Sequence, residues 1–215
     1  MERPSVDVIH LRDGRLIEDP LGKLRRFCDS EYALYDAVDT PQDDTLTVND
    51  IVLSVAVNSR LDAKGLSSVW QGKASVEQHL RLISPAVSLT DPEDAIPWDT
   101  IVRMFEEFEH IKYAKLAVAS KILHKKRPAL IPMMDDVVRK YYEGVYPSFP
   151  WSWKCGPLSG QLMRHFREDL LVARPQLETL AASQVDTPLT LVRLLELLIW
   201  VETEPRGYYR TGLQP

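Results

Sequence analysis

The sequence has 215 residues, of which 45% are hydrophobic and 27% are charged. This composition is typical of an ordinary globular protein that is long enough to bury a full apolar core. The formal net charge of −5 argues against a protein coated in basic surface for nucleic acid. A local basic segment on an acidic body could still dock on a polyanion.

The two cysteines, Cys28 and Cys155, are far apart and lack the paired spacing of a zinc site. We interpret them as reduced thiols in an intracellular protein, not as a disulfide framework. The first residues alternate in charge without the apolar segment of a secretory signal, and no uncharged apolar run reaches membrane-spanning length. We therefore expect a cytoplasmic protein that does not contact a membrane.

The N-terminal residues 5–18 are the one plausible pair of strands, because apolar residues flank Asp13-Gly14, a favoured hairpin turn. From Pro20 onward the apolar spacing is helical, interrupted by proline and glycine. Apart from the segment around residues 111–142, helices are predicted over residues 21–38, 48–60, 66–83, 97–110, 158–171, from 175 and over 189–201. The predicted fold is all-α, a single multi-helix domain over residues 1–215, with residues 1–19 as a small β-hairpin appendage.

Local signals refine three of these helices. Thr47 and Asp50 have the spacing of a capping box at the start of the helix over 48–60. Gly72 is expected to break the helix over 66–83 into two short ones. The last helix, over 189–201, is apolar almost all round apart from Thr190, Arg193 and Glu196, so we predict a core helix.

The densest positive charge lies in residues 111–142, and we interpret the rest of the chain as organised around this segment. Apolar residues at helical spacing predict an amphipathic helix that Pro128 ends, because its ring removes a backbone hydrogen bond. Its cations are Lys112, Lys115, Lys121, Lys125, Lys126 and Arg127. Residues 112–127 hold no acid, whereas residues 36–50 hold five Asp and neither Lys nor Arg. This basic strip is interpreted either as a nucleic-acid contact or as a solvated helix face.

Several chemical motifs are incomplete or absent. Glu107 and His110 have the Glu-x-x-His spacing of di-iron bundles, but no second copy occurs, so we predict no metal site. The sequence has neither a glycine-rich phosphate loop nor the Gly-x-Ser-x-Gly of a nucleophile elbow. We therefore expect no cofactor, and dinucleotide enzymes, P-loop enzymes and serine hydrolases are disfavoured.

The segment from Ala119 through Pro132 to Asp135 resembles the helix-hairpin-helix DNA glycosylase superfamily. In that family a hairpin helix carrying an alanine leads through a proline loop to a catalytic aspartate. Ala119 takes the place of the alanine, Asp135 that of the aspartate, and Val138 that of the trailing valine. The core from Lys121 to Pro132 is also similar to that of an uncharacterised bacterial family with this fold, which would supply a fold but no function.

This sequence departs from the glycosylase pattern at three positions of the hairpin, and Met133 and Met134 replace the single residue between the proline and the aspartate. The two hairpin glycines fall on Tyr113 and Lys115, and the Schiff-base lysine of the bifunctional members falls on Ala117. The resemblance therefore implies a monofunctional DNA N-glycosylase, in which the basic strip holds phosphates.

The resemblance also assigns the chemistry. Asp135 would be the catalytic carboxylate that stabilises the oxocarbenium charge or activates a water. Tyr142, Trp151 and Trp153 would form the wall of a pocket for the flipped base. In the alternative interpretation Asp135 only caps the following helix and the aromatic side chains pack in the core. The chain would then be a non-catalytic helical module that binds nucleic acid or a protein partner.

Overall fold

The computed structural model describes residues 6–183 and 188–203. In these residues the chain is mostly helical, with nine α-helices and one two-stranded antiparallel sheet near the N-terminus. The predicted helical character and the predicted hairpin are therefore confirmed. The prediction that residues 1–215 form one domain includes residues outside the described ranges and stays a prediction.

The elements follow one another along the chain as a hairpin and then helices. The strands are β1 (Val8–His10) and β2 (Leu16–Glu18). The helices are α1 (Pro20–Cys28), α2 (Leu34–Ala37), α3 (Val48–Ala56), α4 (Ala63–Leu80), α5 (Trp98–Glu107), α6 (Leu116–Lys126), α7 (Asp136–Val145), α8 (Cys155–Ser183) and α9 (Leu191–Thr203). Single 3-10 turns lie at Glu31–Ala33 and Glu93–Ala95.

The hairpin packs on the helices through one side of each strand. Ile9 pairs with Ile17, and both side chains are buried in the same apolar cluster as those of the helices. Gly14 has a φ of 80° in the turn, a left-handed conformation that glycine adopts without steric cost. The favoured turn at Asp13-Gly14 and the alternation of buried and more exposed residues along the two strands together explain the hairpin.

Two predicted helix breaks are wrong. Helix α4 is continuous through Gly72, where a Cβ atom would lie 2.7 Å from Ile111 Cγ1, so the glycine serves close packing instead of a break. Helix α8 continues through Pro175, because an apolar stripe that includes Leu170 and Leu177 stays buried on both sides of it. Conversely, the helix predicted over 21–38 divides into α1, a 3-10 turn and α2, since Ser30 Oγ donates to the Phe27 carbonyl and competes with helix continuation.

Helix α9 lies in the core, as predicted. Its residues Val192–Ile199 are all buried, and the helix packs against α1, α7 and α8. Helix α6 is similarly buried and packs against α3. The starts of α6 and α7 and one side of α9 also lie near one another, since residues of all three helices line one cavity. Across residues 6–183 and 188–203, the helices lack the combination of length and apolarity needed to cross a membrane.

Candidate functional site

The predicted basic strip is largely inside the protein. Lys121, Lys126 and Arg127 are buried and Lys125 is half-buried, whereas Lys112 and Lys115 are exposed. The structure therefore does not contain a row of six solvent-exposed cations along one helix face. The prediction of a solvated helix face is wrong for the same reason.

Three of these cations bind the carboxyl ends of other helices. Lys121 Nζ donates to the C-cap carbonyl of α3 at 2.6 Å, and Lys125 Nζ donates to the C-cap carbonyl of α2 at 2.8 Å. Arg127 Nη2 donates to the last carbonyl of α4 at 2.9 Å. The last carbonyls of a helix have no partner within it and carry partial negative charge, so these contacts stabilise all three helix ends.

Lys126 forms a buried ion pair. Its Nζ lies 2.8 Å from Asp50 Oδ2, and both side chains are 0% exposed. The same ammonium lies 3.0 Å from Asp43 Oδ1, and the neighbouring Arg127 binds Asp44. The acidic residues around 36–50 are thus the partners of the basic residues at the end of α6. Nucleic-acid binding stays a prediction, but a phosphate contact through this segment now depends on Lys112 and Lys115.

Asp135 has two different roles. It is the N-cap of α7, where Oδ1 accepts from the backbone N–H groups of Val137 and Val138 at 2.9 and 3.1 Å. Its second oxygen, Oδ2, accepts from the indole N–H of Trp200 at 3.2 Å. The predicted cap is confirmed, and one carboxylate oxygen remains directed at a neighbouring helix.

Asp135 also lines a cavity of about 660 Å³. The cavity lies between the first turns of α6 and α7, the inner face of α9 and the loop that follows α3. Its size is in the range of small-molecule sites in proteins. Its polar lining residues include Arg60, Lys121, Asp135, Lys140, Arg193 and Glu196.

Glu196 is the buried acid of this cavity. Burial raises its pKa to about 7, the negative charge of Asp135 adds to this effect, and the contact with Arg193 opposes it. Arg193 also binds Asp36, with Nη2 2.7 Å from Oδ2. One guanidinium thus serves two carboxylates, which leaves Glu196 able to gain or lose a proton near neutral pH.

Lys121 is a second unusual group in the cavity wall. Burial lowers the pKa of its ammonium, and the negative charge of Asp135 opposes this. Its contact with the end of α3 already gives it a structural role.

The backbone of the cavity wall gives a second indication of a functional site, because two lining residues, Asn58 and Tyr113, have left-handed φ angles of 63° and 70°. Such a conformation is uncommon for tyrosine, and backbone strain of this kind concentrates at functional sites.

The aromatic residues predicted for a base pocket lie elsewhere. Tyr142 is buried and donates to Asp169 Oδ2 at 3.1 Å, while Trp151 packs against His165. Trp153 is 90% exposed. Among the described residues that line the cavity with Asp135, these three do not occur. The structure therefore does not place these three side chains beside Asp135, because the residues that follow Asp135 in sequence run along α7 away from its N-terminus.

The aromatic residues beside Asp135 come from other parts of the chain. They are Tyr32, Tyr113 and Trp200. The rings of Tyr32 and Trp200 meet edge to face, with their centroids 5.7 Å apart. The sequence did not connect them with Asp135, because the 3-10 turn Glu31–Ala33, the loop before α6 and helix α9 contribute them from distant parts of the chain. The polar residues Arg193 and Glu196 on an otherwise apolar helix were the available signal.

The described parts of the chain contain no cluster of three or more His, Cys, Asp or Glu side chains that could hold a metal ion. His79 and Glu107 form an isolated pair, with Nε2 3.2 Å from Oε1. The cavity therefore offers carboxylates, cations and aromatic rings as its chemical groups.

Comparison with known proteins corrects the resemblance drawn from the sequence. A protein-family model described as a family of unknown function (DUF6308) matches residues 21–203. Searches of curated proteins and of solved structures gave no match. The assignment to the helix-hairpin-helix DNA glycosylases is wrong, since the comparisons find this family and bring no glycosylase family with it.

Proposed function

We propose, for a chain that belongs to the family of unknown function DUF6308, that the cavity lined by Asp135 and Glu196 binds a polar small molecule. We further propose that these two carboxyl groups perform acid–base chemistry on it. The cavity's position at two helix N-termini and its polar lining support ligand binding.

The observation that carries this proposal is the pairing of two carboxyl groups in one cavity with different surroundings. Glu196 is buried and has a pKa raised to about 7, which suits a group that donates a proton at neutral pH. Asp135 is half-buried, at a helix N-terminus that favours its negative charge. Carboxyl groups that lie together but differ in environment are a recurrent basis for acid and base roles.

The two oxygens of Asp135 allow its structural and chemical roles to be separated. Oδ1 is used by the cap, whereas Oδ2 accepts from Trp200, a residue that lines the cavity together with Asp135. Asparagine is as good an N-cap as aspartate, but it cannot accept a proton. The Asp135→Asn variant therefore keeps the helix end and removes the base.

The expected result is a difference between two substitutions at residue 135. Asp135→Ala should lower the free energy of unfolding by about 1 kcal/mol, because α7 loses its cap, whereas Asp135→Asn should change it by only a few tenths. Urea unfolding measures both. In ligand-detected NMR with a panel of nucleosides, pyranosides and amino-acid amides, the wild type should bind at least one class, and Asp135→Asn should weaken that binding at least tenfold. Equal binding by wild type and Asp135→Asn would remove Asp135 from the proposal.

A second candidate function is nucleic-acid binding, favoured by exposed cations among the cavity's lining residues and next to them in sequence. Arg60 and Lys140 are exposed lining residues, and Lys112 and Lys115 flank the lining residue Tyr113. Phosphates could contact these four cations without disturbing the buried ones. Binding to a protein partner also stays a prediction.

This second candidate has its own test in salt-dependent binding of a short DNA duplex. If Lys112 and Lys115 contact phosphates, the double variant Lys112→Glu/Lys115→Glu should reduce the slope of log K against log salt by about 2. The charge-matched control is the double variant Lys154→Glu/Arg174→Glu, which changes two exposed cations that line neither this cavity nor the one beside it. Absence of duplex binding by the wild type at low salt would dismiss the candidate.

A further inference from the structure

A second cavity of about 480 Å³ adjoins the first. It lies between the hairpin and the outer sides of α7 and α9, and its apolar wall comes from the hairpin. Lys140 and Thr203 line both cavities, so they mark the junction between them. Tyr141 and Gly144 line the second cavity from α7. A ligand in the first cavity could therefore extend a group to this junction.

Two hydroxyl groups of residues that line the second cavity donate to no acceptor among the residues that the structure describes. They belong to Tyr141, which is 7% exposed, and to Thr203, and both hydroxyl oxygens are buried. Buried hydroxyls in proteins are nearly always hydrogen-bonded. Burial also raises the pKa of Tyr141, so its phenol keeps the proton that it can donate. Two donors without acceptors in one place point to an acceptor supplied by a ligand.

The charge at the junction favours an anion. Lys140 is exposed and forms no salt bridge within the described ranges. The acid of the second cavity, Glu202, is already paired with Lys23. Arg15 is paired with Asp13, and its guanidinium lies 4.0 Å from the centre of the Tyr141 ring. Among the charged residues that line the second cavity, the one without a charged partner is therefore the positive Lys140.

We propose that the junction binds an anionic group, a carboxylate or a phosphate, on the ligand whose polar body occupies the first cavity. Lys140 supplies the charge, and the hydroxyls of Tyr141 and Thr203 donate hydrogen bonds to the anionic oxygens. The assignment of this group to the ligand rests on the proposed function. It narrows the ligands to polar molecules that carry an acidic group.

Glycine NMR can test this site directly. The chain has nine glycines, so protein labelled with ¹⁵N-glycine gives at most nine amide signals, one of them from Gly144 beside the junction. Sodium phosphate and sodium acetate are titrated separately against sodium chloride at equal ionic strength. The expected result is a saturable shift of the Gly144 signal, while those of Gly72 and Gly160 stay in place. A response to phosphate alone identifies a phosphate group, and a response to acetate identifies a carboxylate.

Three variants make the test specific. Lys140→Met should weaken the anion affinity at least tenfold, and Tyr141→Phe should weaken it severalfold, whereas Lys154→Met, a change at an exposed lysine that lines neither cavity, should leave it unchanged. A Cβ atom at Gly144 meets nothing within 4 Å, so Gly144→Leu should fold and fill the second cavity. Its melting temperature should then no longer rise with phosphate or acetate.

The outcomes separate this inference from the proposed function. An unsaturable shift, a shift shared by all glycines, or unchanged anion affinity in Lys140→Met overturns the anion site. If polar ligands still bind the first cavity in that case, the proposed function stands without it. If anions bind at Gly144 but no polar ligand binds the first cavity, the anion site stands and the proposed function fails.

Discussion

The Lys126→Met variant is expected to lose about 3–5 kcal/mol of the free energy of unfolding. Its ammonium is the buried partner of Asp50, at 2.8 Å, and methionine would leave that carboxylate without a cation in the interior. Asp50 cannot simply turn to solvent, because its side chain also accepts from the backbone N–H of Thr47 in the capping box of α3. The substitution therefore weakens the start of α3 as well as the ion pair.

Urea unfolding measures this loss, and two further variants show its origin. Lys112→Met, in the same basic segment but exposed, should change the stability by less than about 0.5 kcal/mol. In the double variant Lys126→Met/Asp50→Asn no unpaired charge remains, so part of the loss should be recovered. Equal stabilities of Lys126→Met and Lys112→Met would show that the basic segment is not part of the internal framework.

Glu196 and His124 are expected to give the stability two opposite dependences on pH. The pKa of Glu196 is raised by burial from 4.5 to about 7, so its contribution to stability is complete below pH 4.5 and is lost as pH rises through 7. The pKa of His124 is lowered by burial from 6.5 to about 4, so its contribution is complete above pH 6.5 and is lost as pH falls through 4. Each corresponds to a change on the order of 3 kcal/mol.

Between pH 4.5 and 6.5 these two contributions oppose each other, and single substitutions should uncover them. In Glu196→Gln the His124 effect remains, so stability should rise with pH relative to wild type. In His124→Gln the Glu196 effect remains, so stability should fall with pH. Urea unfolding at several pH values gives the slopes, and the double variant is the matched control. Parallel profiles for wild type and Glu196→Gln would contradict a raised pKa at Glu196.

Local signals in the sequence predicted the elements that depend on neighbouring residues. Asp13-Gly14 predicted the hairpin, and Thr47 with Asp50 predicted the start of α3, where the capping box is present. Asp135 was predicted as the cap of α7 and is that cap. Each of these interactions joins residues within a few positions of one another, so spacing alone is sufficient to find it.

The burial and the partners of the basic side chains could not be predicted in this way, because those partners are distant in the chain. Lys121 binds a carbonyl 64 residues away, and Lys126 binds one 85 residues away. The acidic residues over 36–50, which supply carboxylate partners for these cations, were visible in the sequence. They were interpreted as a feature separate from the basic segment. An acidic and a basic run of similar size in a chain of modest net charge can neutralise each other inside the fold.

The cavity was predicted in part. Asp135 was singled out as a candidate carboxylate, and it does line the cavity. Glu196 and Arg193 were noted as polar residues on an apolar helix but were not connected with Asp135, since α9 reaches α7 only through tertiary packing. Trp200 was missed for the same reason, although it donates directly to Asp135.

The most direct test of the central claim is ligand-detected NMR of the polar panel with the wild type and with Ala117→Phe. Ala117 lines the cavity in the first turn of α6, so a phenylalanine at this position would fill part of the cavity. The substitution leaves Asp135 and Glu196 themselves unchanged. We expect at least one panel member to bind the wild type and Ala117→Phe, with a normal circular dichroism spectrum, to abolish this binding. Binding that is equally strong in Ala117→Phe, or that no panel member shows with the wild type, would contradict the cavity as the functional site.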